Sequence, residues 1–299
     1  MTNNTLDKVL QGLMRRYTER VPDVQKVIDC MITDGIISNG ADIENDHIAF
    51  RTMGVKHLGI QSLEKIFLHL GYKKMEPYFF PAKKLDAYWY APPAENYPRI
   101  FISELQVKDL SPATQGIIYS YTDEVNSDPV DSLNLDDAEA IDHFLHSGLW
   151  RIPILEDYLA LNKESEYAAW VIYNRYYLNH FTVSVHNLPA GYNTIADFNK
   201  FLENKGFTLN DSGGKIKISG DGYLLQSSTV AEKIEAVFAN GTVYRIPGSY
   251  VEFAERKVLP AFANFAILDI KRHHRREGFE ASNADKIFES TYASQTEKK

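Results

Sequence analysis

The stretch ENDHIAFRTMG, residues 44–54, carries a histidine and an arginine four apart in a run rich in apolar and aromatic residues. Such a run reads as a β-strand, and the side chains of a strand alternate between its two faces. His47, Ala49 and Arg51 then share one face, and Ile48 and Phe50 the other. A neutral imidazole is a ligand for a divalent transition metal, and a guanidinium fork holds a carboxylate through paired hydrogen bonds. With only an alanine between them, this strand offers a metal ligand and an anion anchor to the same space.

A metal site needs more than one anchor, and the chain supplies a second through an internal echo. The run NHFTVSVHNL, residues 179–188, also opens on Asn-His and is also strand-like. Each strand is followed by an amphipathic helix, SLEKIFLHLGY in one case and TIADFNKFLENKGF in the other, closing on Gly71-Tyr72 and Gly206-Phe207. Strand-like runs come after each helix: EPYFF, LDAYWYA and RIFISELQV in the first copy, then GKIKISG, YLLQSSTV, EKIEAVFA and GTVYRI in the second. A unit recurring in this way predicts an α+β fold built from a duplicated βαβββ motif. The copies span about 44–110 and 179–260 within one catalytic domain, residues 1–299. Equivalent strands are expected to face each other across a half-open barrel, so that His47 and His180 point into one cavity. His186 lies on the same predicted strand face as His180, and alternation alone does not separate them.

The third anchor is sought in GSYVEFAERKVLP, residues 248–260. Read as a strand, it sets Glu252 on the face opposite Val251 and Phe253, with Arg256 on its own side. Glu255 shares the apolar face and is the poorer candidate. Two histidines and a carboxylate make a facial triad that leaves coordination positions open, the arrangement of non-haem Fe(II) oxygenases. The bland alternative is a Glu252–Arg256 ion pair. Gln226 in LLQSST alternates with Leu225 and is placed to line the cavity as a hydrogen-bond donor to substrate.

The remaining elements must carry these strands. Leu6, Val9, Leu10, Leu13 and Tyr17, then Val24, Val27, Ile28 and Met31, recur at helical spacing and predict two N-terminal helices. Residues 111–178 read as mostly helical and join the two copies. At 299 residues with 44% hydrophobic and 12% aromatic content, the chain can bury a full core. Its net charge of −8 argues against a nucleic-acid backbone binder. One cysteine, Cys30, rules out an internal disulfide and fits a reducing compartment. No apolar run approaches the roughly 20 residues that cross a bilayer, and the polar N-terminus has no signal-peptide pattern. The expectation is a cytoplasmic protein with no membrane partner. KRHHRR, residues 271–276, reads as a solvated helix face, His273 and His274 included.

Taken together, HIAFRT, RIFISEL, NHFTVSVH, LLQSSTVA and YVEFAERKVLP resemble the DUF1338 family, the 2-oxoadipate dioxygenase/decarboxylases. That family is distantly similar to hydroxymandelate synthase and to the vicinal-oxygen-chelate fold. The resemblance runs from the His47–Arg51 element to GFEASNADKIFEST near the C-terminus. It implies an Fe(II) enzyme that uses O2 to convert 2-oxoadipate to 2-hydroxyglutarate and CO2, late in lysine breakdown. It places the metal ligands on His47, His180 and Glu252, choosing His180 over His186, and the substrate-binding arginine on Arg51. More loosely, it suggests Ser282 and Asn283 as contacts for the distal carboxylate. Two rivals stand beside this reading: a metal-dependent lyase or isomerase that needs no O2, and a dicarboxylate-binding module whose histidines are structural.

Overall fold

The computed structural model describes residues 4–299. Two helices, α1 (Asn4–Arg20) and α2 (Pro22–Thr33), come first and bury the predicted apolar stripes, Leu10 and Ile28 only partly. The first βαβββ unit follows as β1 (Asn45–Met53), α3 (Ile60–His69), β2 (Lys73–Phe80), β3 (Leu85–Ala91) and β4 (Arg99–Leu105). Four helices, α4 (Pro112–Thr122), α5 (Ala138–His146), α6 (Leu155–Glu164) and α7 (Glu166–Asn174), lead to the second unit. That unit runs β5 (His180–Ser184), α8 (Ile195–Asn204), β6 (Lys217–Ile218) and β7 (Leu224–Ser228). A hairpin, β8 (Lys233–Val237) and β9 (Val243–Pro247), then intervenes before the last strand, β10 (Tyr250–Arg256). A short helix, α9 (Ala281–Ile287), lies near the C-terminus. Among the described residues no helix is long and apolar enough to cross a membrane.

Eight strands form one sheet in the order β2-β3-β4-β1-β5-β10-β7-β6. Within each copy the first strand pairs parallel to the last, β1 with β4 and β5 with β10, while the other pairs are antiparallel. The second half of the sheet therefore repeats the first in mirror order about the antiparallel β1–β5 seam. The first strands of the two copies, β1 and β5, expected to face each other across a gap, are instead hydrogen-bonded neighbours at the centre of the curled sheet. Both repeat helices are followed by a glycine with positive φ, +95° at Gly71 and +85° at Gly206. That left-handed conformation is strained for any residue with a Cβ, so the glycine stops each helix at the same point of the motif.

Two sequence expectations change. The β8–β9 hairpin leaves the meander and forms its own two-stranded sheet. Its inward residues Ala236, Phe238 and Ile246 are buried, with the Phe238 ring against Tyr158 and Tyr173 of the joining helices. KRHHRR forms a 3₁₀ turn, Arg272–His274, in place of a solvated helix face. His274 is buried there, stacked 4.4 Å from the Phe262 ring, while His273 stays outside and pairs with Glu95.

Candidate metal centre

Three buried side chains meet across the β1–β5–β10 seam: His47, His180 and Glu252 each turn one ligand atom inward, all within 4.8 Å of one another. The Nε2 atoms of the two histidines are 3.3 Å apart. Glu252 Oε2 is 3.1 Å from His180 Nε2, and Oε1 is 3.5 Å from His47 Nε2. Strand register explains the meeting. Glu252 pairs with Thr182 and His180 with both Ala49 and Tyr250, so neighbouring strands place the three on adjacent rows of one face. A pair of neutral imidazole nitrogens and a carboxylate on one side of a point suits a divalent transition metal with open positions.

Each histidine is oriented by the residue just before it. His47 Nδ1 donates to Asp46 Oδ1 at 2.8 Å, and His180 Nδ1 donates to Asn179 Oδ1 at 3.1 Å. Both contacts put the ring hydrogen on Nδ1 and leave Nε2 free to coordinate. Asp46 is held in turn by Arg256, at 2.7 and 2.9 Å, and by Arg99 at 3.2 Å. Arg256 is thus spent on Asp46, and the bland Glu252–Arg256 pair does not form. Burial works against the Asp46 charge, but the two guanidiniums win and hold its carboxyl well below the usual range.

Glu252 is fixed by Gln226, whose Nε2 donates to Oε1 at 2.6 Å, and Asn283 Nδ2 donates to Gln226 Oε1 at 3.0 Å. Burial raises the Glu252 carboxyl, yet His47 and His180 pull it below its ordinary value. Burial also pushes both histidines down. At His180 it prevails and the pKa falls to about 3; at His47 Glu252 and Asp46 outweigh it and the net shift is upward.

Arg51 is buried behind these groups, as its place on the His47 face requires. It donates to the Thr291 hydroxyl at 2.9 Å and the Phe288 carbonyl at 3.0 Å, with the Tyr167 and Trp170 rings beside it. Among the described residues no carboxylate pairs with it, whereas the equally buried Arg99 and Arg256 both have one. A buried cation without a counter-ion is costly, and an incoming carboxylate would relieve that cost.

The cavity beside the ligands is small, about 20 Å³, close to what one water needs. Phe101, Tyr250, Phe279, Ile287 and Phe288 wall it, the last three from the C-terminal segment that folds over the site. Of the other sequence candidates, Ser282 is exposed on the outer side of α9 and does not line the cavity. His186 is also set apart. β5 ends at Ser184, so His186 falls in the next turn, where Nδ1 accepts the backbone N–H of Arg256 at 3.2 Å. Glu255 accepts the N–H of Ile195 at 2.8 Å and steadies the start of α8. Sequence reasoning missed Asp46, Asn179, Tyr250 and Phe279. The signal for the first two was the recurring residue before each histidine; for Tyr250 it was its place two residues before Glu252.

Comparison with known proteins identifies the family. The family model for 2-oxoadipate dioxygenase/decarboxylase matches residues 9–266. A protein of that name from Oryza sativa subsp. japonica, chloroplastic/amyloplastic, is 43% identical over 95% of this chain and 78% of its own length. One from Arabidopsis thaliana, chloroplastic, is 46% identical over 84% of this chain and 68% of its own. The crystal structure of the hydroxyglutarate synthase from Oryza sativa in complex with 2-oxoadipate superposes with a TM-score of 0.89 at 41% identity, covering 98% of this chain and 94% of that one. Both named relatives are plastid proteins, and that finding overturns the cytoplasmic expectation. On the family match and these identities, the chain belongs to the 2-oxoadipate dioxygenase/decarboxylase family.

Proposed function

We propose that the protein is an Fe(II)-dependent dioxygenase/decarboxylase that converts 2-oxoadipate and O2 to 2-hydroxyglutarate and CO2, a step of lysine breakdown. The observation that carries this reading is the pairing of a three-donor centre with a buried, unneutralised Arg51 on the His47 strand face. In this reading His47, His180 and Glu252 hold the iron. The first copy contributes His47 and the second His180 and Glu252, so the two copies work as one catalytic unit. Iron, when bound, supplies the redox chemistry that lets O2 react with the 2-oxo acid.

The chain's own residues do the rest. Asp46 and Asn179 hold the neutral rings with hydrogen on Nδ1 and Nε2 turned to the centre, and Gln226 with Asn283 fixes the carboxylate ligand. Arg51 takes a substrate carboxylate and orients the molecule along β1. Phe279, Ile287 and Phe288 shut out water, which strengthens every charge interaction inside. An oxygen electrode tests the reading: protein reconstituted with Fe(II) under nitrogen should consume O2 only when 2-oxoadipate is present. Conversion of 2-oxoadipate with no uptake would favour an oxygen-independent lyase.

A further inference from the structure

Buried polar groups almost always find a partner, and two that do not lie beside the candidate centre. They are Arg51 Nε and the Tyr250 hydroxyl. Tyr250 is fully buried on β10, and its ring stands 4.9 Å from that of His180. Two residues before Glu252 on one strand, it faces the same cavity as the carboxylate. Its hydroxyl has the Arg51 guanidinium beside it but makes no well-formed hydrogen bond within the chain, and it is left facing the site.

Register orders these groups along the sheet. Thr182 marks the Glu252 row; the next row holds Ala49, His180 and Tyr250; Arg51 lies one side-chain repeat beyond Ala49 on β1. Tyr250 therefore stands between the candidate ligands and Arg51. The Cα atoms of His47 and Arg51 are separated by roughly 13 Å of strand, a span that an arginine reaching back and an extended six-carbon diacid can share. With its 2-oxo acid end at the centre, such a substrate carries its far carboxylate past Tyr250 to Arg51. A phenol carries its hydrogen in neutral solution and can donate it to a carboxylate.

We propose that the Tyr250 hydroxyl donates a hydrogen bond to the distal carboxylate of the bound 2-oxo diacid, sharing it with Arg51, and so helps select dicarboxylic over monocarboxylic substrates. This rests on the reading of the site given above. Tyr250 is on this account a specificity residue that touches substrate, while the ring itself packs on His180.

Tyr250→Phe removes the hydroxyl and keeps the ring. The test is calorimetric binding of 2-oxoadipate and of 2-oxohexanoate, which lacks the far carboxylate, to Fe(II)-loaded protein under nitrogen, with iron content checked in both proteins. The hydrogen bond predicts that Tyr250→Phe binds 2-oxoadipate roughly 10- to 100-fold more weakly and 2-oxohexanoate as the unmodified protein does. Unchanged 2-oxoadipate affinity would overturn the proposal. So would equal weakening for both acids, which marks a structural role for the hydroxyl. If the unmodified, iron-loaded protein itself failed to bind 2-oxoadipate, the functional reading would fall, and this inference with it.

Discussion

Asp46 accepts the Nδ1 hydrogen of His47 at 2.8 Å while buried Arg256 grips both of its oxygens and buried Arg99 its Oδ2. The contact fixes the imidazole by a full negative charge, where the equivalent contact at His180 uses the neutral amide of Asn179. A carboxylate behind a ligating histidine raises its basicity as well as its order. Asp46→Asn should lower metal affinity about 10- to 100-fold. It should also destabilise the fold by about 3–5 kcal/mol, because Arg256 and Arg99 lose a buried counter-ion. Competition with a metal-chelating dye and a urea titration read the two effects separately.

Removing a candidate ligand should act on metal more than on fold. Glu252→Gln keeps the side-chain shape but loses the charge, and His180→Ala removes one nitrogen donor. Either variant should purify with little bound iron after reconstitution and with unchanged circular dichroism, as metal analysis would show. Full iron content in either one would contradict the assignment.

The pH dependence of metal binding follows from the two unequal histidines. His180, at about 3, and Glu252, held low, are already deprotonated in neutral solution. His47 is raised above its ordinary 6.5, so it is the group that protons occupy in the metal-free protein. Metal must displace that proton. Affinity should therefore rise about tenfold per pH unit below the His47 pKa and level off above it. Chelator competition across the weakly acidic to weakly alkaline range reads the slope. A flat profile would count against His47 as the titrating ligand.

The C-terminal segment must move to admit substrate, because a six-carbon diacid is far larger than a cavity of about 20 Å³. Amide hydrogen exchange in residues 281–291 should be faster than in β1, β5 and β10 without substrate, and should slow when 2-oxoadipate binds to the metal-loaded protein. Equal exchange with and without substrate would place the entry route elsewhere.

Much of the site could be read from the chain because strand alternation is a short-range rule. It put His47 with Arg51, and Glu252 opposite Val251 and Phe253, and the repeated Asn-His opening linked the two halves. Asp46 escaped the same rule, since alternation sends it to the face opposite His47. The register of β1 against β5 shifts between Asn45 and Ile48, and strict alternation cannot anticipate that irregularity. His186 was misplaced because nothing local showed that β5 stops at Ser184. The hairpin β8–β9 and the C-terminal cover were hidden for another reason. Their positions depend on contacts with Tyr158, Tyr173 and Phe101, far away in the chain.

The fate of the two oxygen atoms distinguishes the proposed reaction most directly. In the proposed reaction the first carboxylate of 2-oxoadipate leaves as CO2 with its own oxygens, and both atoms of O2 enter the product. Fe(II)-loaded protein turning over 2-oxoadipate under ¹⁸O₂ should give 2-hydroxyglutarate carrying two labelled oxygens by mass spectrometry, beside unlabelled CO2 when hydration and exchange are quenched early. Unlabelled 2-hydroxyglutarate, or none at all from protein shown to hold its iron, would contradict it.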